Sequence, residues 1–210
     1  VHPVISPLMA PRFLAPTLPD GEFCGVIFTS LTGVVLSTVL NWPLPKRAYC
    51  VGAATARHAR EAGFEATSAD GDAEALLQVV LADPPKGRLL HLRGQEARGD
   101  LAQRLTQAGV PTLEAVVYVQ DPQPLTTPAL ALLRGEGPVI LPLFSPASVI
   151  HVKRTLPDDT RARLYLAALS PTVAEVAANL PHAALVTARQ PDAEAMLEAI
   201  AELIVAATPP

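Results

Sequence analysis

The sequence predicts an α/β fold: two similar domains, each with a parallel sheet and helices on its faces, joined by two crossings of the chain with a cleft between them. Three observations carry this. Short apolar runs alternate with helical patterns along nearly the whole chain, which is the signature of βα units. Half of the 210 residues are hydrophobic and only 4% aromatic, so the core must be Ala, Val and Leu. A three-part pattern also occurs twice in the same order: residues 26–30 (VIFTS) match 140–145 (ILPLFS), 50–56 (CVGAATA) match 168–174 (ALSPTVA), and 72–77 (DAEALL) match 192–197 (DAEAML). The offset between copies drifts by only a few residues. Internal repetition predicts duplicated units, and the gap between two such units is a common ligand site.

The elements follow in order. A short strand is expected near His2 to Ser6. Pro7, Pro11, Pro16 and Pro19 then mark a stiff extended stretch. Apolar runs predict strands near 24–29, 48–51, 64–68, 88–92 and 111–119, then near 138–144, 164–169 and 182–187. Helical periodicity fills the intervals near 32–40, 54–62, 72–82, 98–108, 125–135, 146–154, 172–180 and 192–206. Met196, Leu197, Ile200, Leu203 and Ile204 fall on one face of the last, with Asp192 placed to cap it. Asp72 is placed to cap Leu76, Leu77, Val80 and Leu81 in the same way. A second proline-rich stretch holds Pro122, Pro124 and Pro128. The two stretches bracket the first repeat, so residues 10–119 read as an inserted α/β domain within an outer domain of residues 1–9 and 120–210. With one strand before the first crossing, the outer domain is expected to lack an opening βα unit.

Composition bounds the partners. A net charge of −4 and no long basic run argue against nucleic acid. Residues 23–45 carry no charge, but Thr29, Ser30, Thr32, Gly33, Ser37, Thr38 and Asn41 divide the stretch into a strand and a helix. That excludes a membrane span. Prolines near Val1 exclude a signal-peptide core. Cys24 and Cys50 form no CxxC or zinc pattern and read as inert buried thiols, which fits a reducing cytoplasm. A monomer is expected, since no long exposed apolar helix is evident.

Four turns put small or hydroxylic residues between a strand and a helix: 30–33, 52–55, 145–148 and 170–172. Free N–H groups and the positive end of the helix dipole make such turns anion sites, and open α/β sheets bind ligands at the carboxyl ends of their strands. Ser30, Thr32, Gly52, Ala54, Thr55, Ser145, Ser148, Ser170 and Thr172 are therefore candidate ligand contacts. Ser and Thr also cap helices for purely structural reasons. Arg93 and Gly94 follow a strand; Gly94 admits close backbone approach, and Arg93 or Arg98 could pair with a carboxylate. Gly94 and Gly99 have P-loop spacing, yet Asp100 and Leu101 replace the required Lys and hydroxyl residue. The five histidines have no ligand spacing, and His91 reads as packed in its strand. No metal site, dinucleotide fingerprint or nucleophile triad is present. Tyr118 ends a strand and enters the second crossing, where a phenol could donate a proton or a hydrogen bond; a packed hinge aromatic is the structural alternative.

Together, residues 26–30, 51–56 with 62–64, 90–94 with 101–109, 116–118, 144–148 and 170–174 resemble the uroporphyrinogen-III synthase family of tetrapyrrole biosynthesis. The likeness spans nearly the whole chain. It departs at Leu31, Ser170 and Val173, where the family usually has Pro, Gly and Thr. The resemblance implies two α/β domains joined by a two-stranded connection, and a reaction that closes linear hydroxymethylbilane with loss of water, inverting ring D through a spiro intermediate. It implies no cofactor and no metal. It also implies that Tyr118 assists departure of the hydroxyl and that Thr55 contacts the substrate. The substrate so implied is a polycarboxylate, and oriented backbone N–H groups can attract it without a basic patch. A non-catalytic two-domain sensor for an anionic small molecule is the alternative.

Overall fold

Val26, Ile27 and Phe28 have no solvent exposure, as expected of a strand covered on both faces of a parallel sheet. They belong to β2 (Gly25–Phe28), at the centre of a six-stranded sheet. The computed structural model describes residues 2–96 and 100–208. It divides into two compact units, Pro11–Asp121 and a second made of Val1–Ala10 with Pro122–Pro210.

In the first unit β2 is followed by α1 (Leu31–Val39), β3 (Arg47–Cys50), α2 (Ala53–Glu61), β4 (Glu65–Ser68), α3 (Ala73–Ala82), β5 (Leu89–Gly94), α4 (Leu101–Gln107) and β6 (Thr112–Pro122). With β1 (Met9–Phe13) at the edge, the sheet order is β1-β6-β5-β2-β3-β4. β2 through β6 pair in parallel. One face packs Val26, Phe28, Leu90 and Leu92 against α1 and α2. The other packs Ile27, Tyr49 and Leu89 against Leu76, Leu77 and Val80 of α3 and Leu101 and Leu105 of α4. Phe28 and Phe64 meet edge to face at 5.2 Å.

Residues 2–6, expected as a strand, lie outside any strand, which instead forms at Met9–Phe13. Pro3 and Pro7 withhold N–H groups from a ladder, whereas Pro11 is tolerated because β1 is an edge strand. β1 runs antiparallel to β6, with Leu14 N–H bonded to Val117 O and Gln123 N–H to Leu8 O, both at 2.8 Å. The stretch expected as a stiff connection after Tyr118 continues as strand to Pro122.

In the second unit α5 (Thr127–Arg134), β7 (Pro138–Leu143), α6 (Pro146–Thr155), β8 (Arg163–Ala168), α7 (Pro171–Ala177), β9 (Ala184–Thr187) and α8 (Ala193–Ala207) build a parallel three-stranded sheet, β7-β8-β9. The repeats coincide with helix N-caps: Ser30 and Ser145 cap α1 and α6, Gly52 and Ser170 precede α2 and α7, and Asp72 and Asp192 cap α3 and α8. The units differ on the far side of their first repeated strand. β2 has β5 as its second neighbour, while among the described residues β7 pairs only with β8. A cavity of about 670 Å³, with Leu8, Leu125, Val139, Ile140, Ile200 and Ile204 in its lining, lies beside β7.

Candidate active site

A β-bulge brings Tyr118 to the carboxyl end of the six-stranded sheet. Leu92 pairs with Ala115 and Arg93 with Val116, but Gly94 pairs with Tyr118, so Val117 is skipped. A bulge re-aims the side chains that follow it. Gln95 N–H to Tyr118 O at 2.9 Å pins the shifted register. The Tyr118 ring then rests on Gly94, where an added Cβ would lie 2.6 Å from two ring carbons. Its hydroxyl lies 3.0 Å from Ser30 Oγ. Ser30 Oγ also accepts from Gly33 N–H at 3.3 Å, which fixes the serine as the cap of α1.

Tyr118 borders a cavity of about 540 Å³ contained in this unit, with Thr29, Asp72, His91, Gly94, Glu96 and Gln120 in its lining. A volume of this order is typical of a small-molecule pocket. His91 is 2% exposed. Its Nε2 is 3.2 Å from Thr29 Oγ1 and its Nδ1 is 3.3 Å from Glu114 Oε1. Arg93 Nε is 3.0 Å from the same carboxylate oxygen. Neither nitrogen makes a well-aligned hydrogen bond to it, so Glu114 acts on both chiefly as a nearby negative charge. Contact with His91, with Arg93 adding to it, holds the Glu114 carboxyl below the usual carboxylate range. Arg93 Nη1 also donates to the carbonyls of Gly94 and Gln95, at 3.1 and 3.3 Å. Its guanidinium therefore braces the β5 terminus. Arg98 lies outside the described residues.

Among the remaining expected contacts in this unit, Thr32 is half-buried and Thr55 is 8% exposed. Gly52 caps α2 without a side chain, and a Cβ there would meet nothing within 4 Å. The first intrahelical bond runs from Ala56 N–H to Gly52 O, so the N–H groups of Ala53, Ala54 and Thr55 have no intrahelical acceptor. Ala53 and Ala54 are exposed. This turn therefore offers amides that no side chain caps. At α3, by contrast, the Asp72 carboxylate already accepts from Glu74 and Ala75 N–H at 2.9 and 3.1 Å.

In the other unit the predicted serine hydroxyls are engaged in capping. Ser145 Oγ accepts from Ser148 N–H, and Ser148 Oγ accepts from Ser145 N–H, both at 3.1 Å. Ser170 Oγ accepts from Val173 N–H at 3.4 Å, and Thr172 is exposed. Pro146 and Pro171 stand at the first helical positions and have no N–H to offer. Among the described residues no group of three His, Cys, Asp or Glu side chains could hold a metal ion. No described helix is long and apolar enough to cross a membrane. Sequence reasoning passed over Thr29, Glu114 and the partnership of His91. The signal was a histidine and an arginine at alternate positions of one otherwise apolar strand, His91 and Arg93.

A family model described as uroporphyrinogen-III synthase HemD matches residues 1–198. The chain belongs to the uroporphyrinogen-III synthase family. It is accordingly a cyclising lyase, closing hydroxymethylbilane to uroporphyrinogen III with loss of water and inversion of ring D. A uroporphyrinogen-III synthetase crystal structure from Helicobacter pylori 26695 is similar in fold, with a TM-score of 0.69 and 22% identity, over 93% of this chain and 91% of that one. A mutant uroporphyrinogen III synthase from the extremely thermophilic bacterium Thermus thermophilus aligns at 19% identity over 87% of this chain and 79% of that one, with a TM-score of 0.46. No curated protein matches the chain.

Proposed function

We propose that ring closure is assisted by Tyr118 and that strand-to-helix turns of the chain hold the carboxylates of hydroxymethylbilane. The single observation that carries this is the pairing of Tyr118 with Ser30 at 3.0 Å beside the cavity. Ser30 Oγ already accepts from Gly33 N–H, so its own proton is free to point at the phenol oxygen. The phenol proton is then free to reach the departing hydroxyl, which leaves as water and generates an electrophilic carbon on ring A. Ring D attacks that carbon to form the spiro intermediate and rearranges. The proton it loses on restoring the pyrrole returns to the Tyr118 oxygen, so no net proton is exchanged. Holding the flexible chain curled supplies much of the rest, since well-oriented groups are worth about 7–11 kcal/mol.

The contacts proposed for the substrate are Ser30, Thr32, Gly52, Ala54, Thr55, Arg93 and Gly94 in one unit, and Ser145, Ser148, Ser170 and Thr172 in the other. The support is strongest for Gly52 and Ala54, where the turn has no side-chain cap and Ala53 and Ala54 are exposed. It is weakest for Ser170 and Thr172, whose turn has one amide replaced by Pro171 and another engaged by Ser170. The proposed partner is this small polycarboxylate rather than nucleic acid, in keeping with the net charge of −4. A cytoplasmic monomer is the proposed state, in keeping with free Cys24 and Cys50.

Product analysis tests the reading. Supplied with hydroxymethylbilane, the protein is expected to yield the III isomer, whereas spontaneous closure yields the I isomer. A I-only product would refute it and leave binding without catalysis as the function.

A further inference from the structure

A receptor for carboxylates needs cationic or N–H donors, and the cavity beside Tyr118 has no Lys or Arg among its described lining residues. Its charged lining residues are Asp72 and Glu96, both acidic. The nearby Arg93 is occupied by Glu114 and two backbone carbonyls. A propionate or acetate group placed here would meet like charge. The pyrrole rings of the same substrate carry N–H groups, which suit a wall whose charged side chains are carboxylates.

The histidine contacts decide which way Thr29 faces chemically. A carboxylate 3.3 Å from His91 Nδ1 repels a lone pair there and favours the proton on that nitrogen. In the neutral ring Nε2 is then an acceptor, and Thr29 Oγ1 at 3.2 Å is its donor. With its proton directed to the ring, the Thr29 oxygen keeps its lone pairs for the cavity. Arg93 secures the arrangement by holding Glu114 at 3.0 Å.

We infer that Thr29 is a further substrate contact, an oriented acceptor for a pyrrole N–H of the linear tetrapyrrole, and that His91 is its positioning residue. This rests on the cavity being the substrate site. A pyrrole N–H is present in the bound substrate and throughout closure, so the contact acts on binding more than on turnover.

The test is steady-state kinetics with hydroxymethylbilane, following the III isomer. Thr29→Val should raise KM about tenfold with kcat nearly unchanged, because a buried donor is left unpaired. Thr29→Ser should recover most of that loss. His91→Phe should raise KM in the same direction, and the double variant Thr29→Val/His91→Phe should be no worse than Thr29→Val alone. His91→Gln, which keeps an acceptor and a polar side chain, should give a smaller rise in KM and replaces the Phe variant in the cycle if that one fails to fold. A wild-type enzyme producing the III isomer alongside an unchanged KM in Thr29→Val overturns the contact and leaves the function standing. Additive losses from Thr29→Val and His91→Phe overturn the positioning role. A wild-type product that is only the I isomer overturns the site itself, and this inference with it.

Discussion

Gly94 lies under the ring of Tyr118 so closely that a methyl group on its Cα would stand 2.6 Å from two ring carbons. Nothing in an ordinary contact allows that approach, so the glycine sets the height of the phenol over β5. Gly94→Ala should push the ring away from Ser30, lowering kcat at least tenfold. The overpacking should cost roughly 1–3 kcal/mol of stability. Turnover measured beside a thermal melt checks it. A variant with full kcat would show that the ring position does not matter.

Tyr118→Phe removes the phenol oxygen and keeps the ring. Its expected effect is a fall in kcat of about 10²-fold, the lower end for a general acid, with little change in KM. Ser30→Ala should fall less in kcat and should also lose about 1 kcal/mol of stability, because the same hydroxyl caps α1. Equal kcat for Tyr118→Phe and wild type would take Tyr118 off the reaction path.

What was legible in the sequence was local. The apolar periodicity behind Asp72 and Asp192 marks them as caps, and their carboxylates accept N–H groups within the first turns of their helices. Tyr118 was legible as the end of a strand, but its aim was not. That depends on Val117 being skipped in pairing with β5, a non-local feature with no signature near residue 118. The same holds for β1, placed at residues 2–6 instead of Met9–Phe13, because an edge strand is defined by the partner it finds. His91 read as packed, and at 2% exposure it is. Burial and a part in the site coincide there, since the facing strand sets Glu114 directly opposite it.

Acid should expose the role of Glu114. Its carboxyl titrates below the ordinary range in the folded chain, first through His91 and then through Arg93. A depressed value means stability that is fully present above the unfolded carboxylate range and is lost as pH falls through the folded one. Wild type should therefore melt above Glu114→Gln at neutral pH, with the gap closing as pH drops through and below the usual carboxylate values. A gap independent of pH would show that the carboxylate charge is not what holds His91 and Arg93.

The two thiols should behave differently toward an alkylating or disulfide reagent. Burial pushes the Cys50 thiol up to about 11, so almost none is thiolate at pH 8. Cys24 is only partly buried, with its thiol donating to Arg88 O at 3.3 Å. One fast-reacting thiol is expected in the native protein and two after denaturation. Two fast thiols in the native state would mean that the sheet opens around Cys50.

The final prediction concerns the α2 amides. Gly52 has φ −147° and ψ 167°, an extended conformation that the residue before a proline prefers. Ala53 stands at the first helical position, where proline is well tolerated. Ala53→Pro therefore deletes one N–H from the turn with little disturbance of the helix. If this turn holds a substrate carboxylate, losing a hydrogen bond to a charged group should raise KM about tenfold. The melting temperature should stay level or rise slightly, since proline restricts the unfolded chain. An unchanged KM in a variant that melts normally would remove the Gly52 turn from the substrate contacts, while leaving Tyr118 and its cavity untouched.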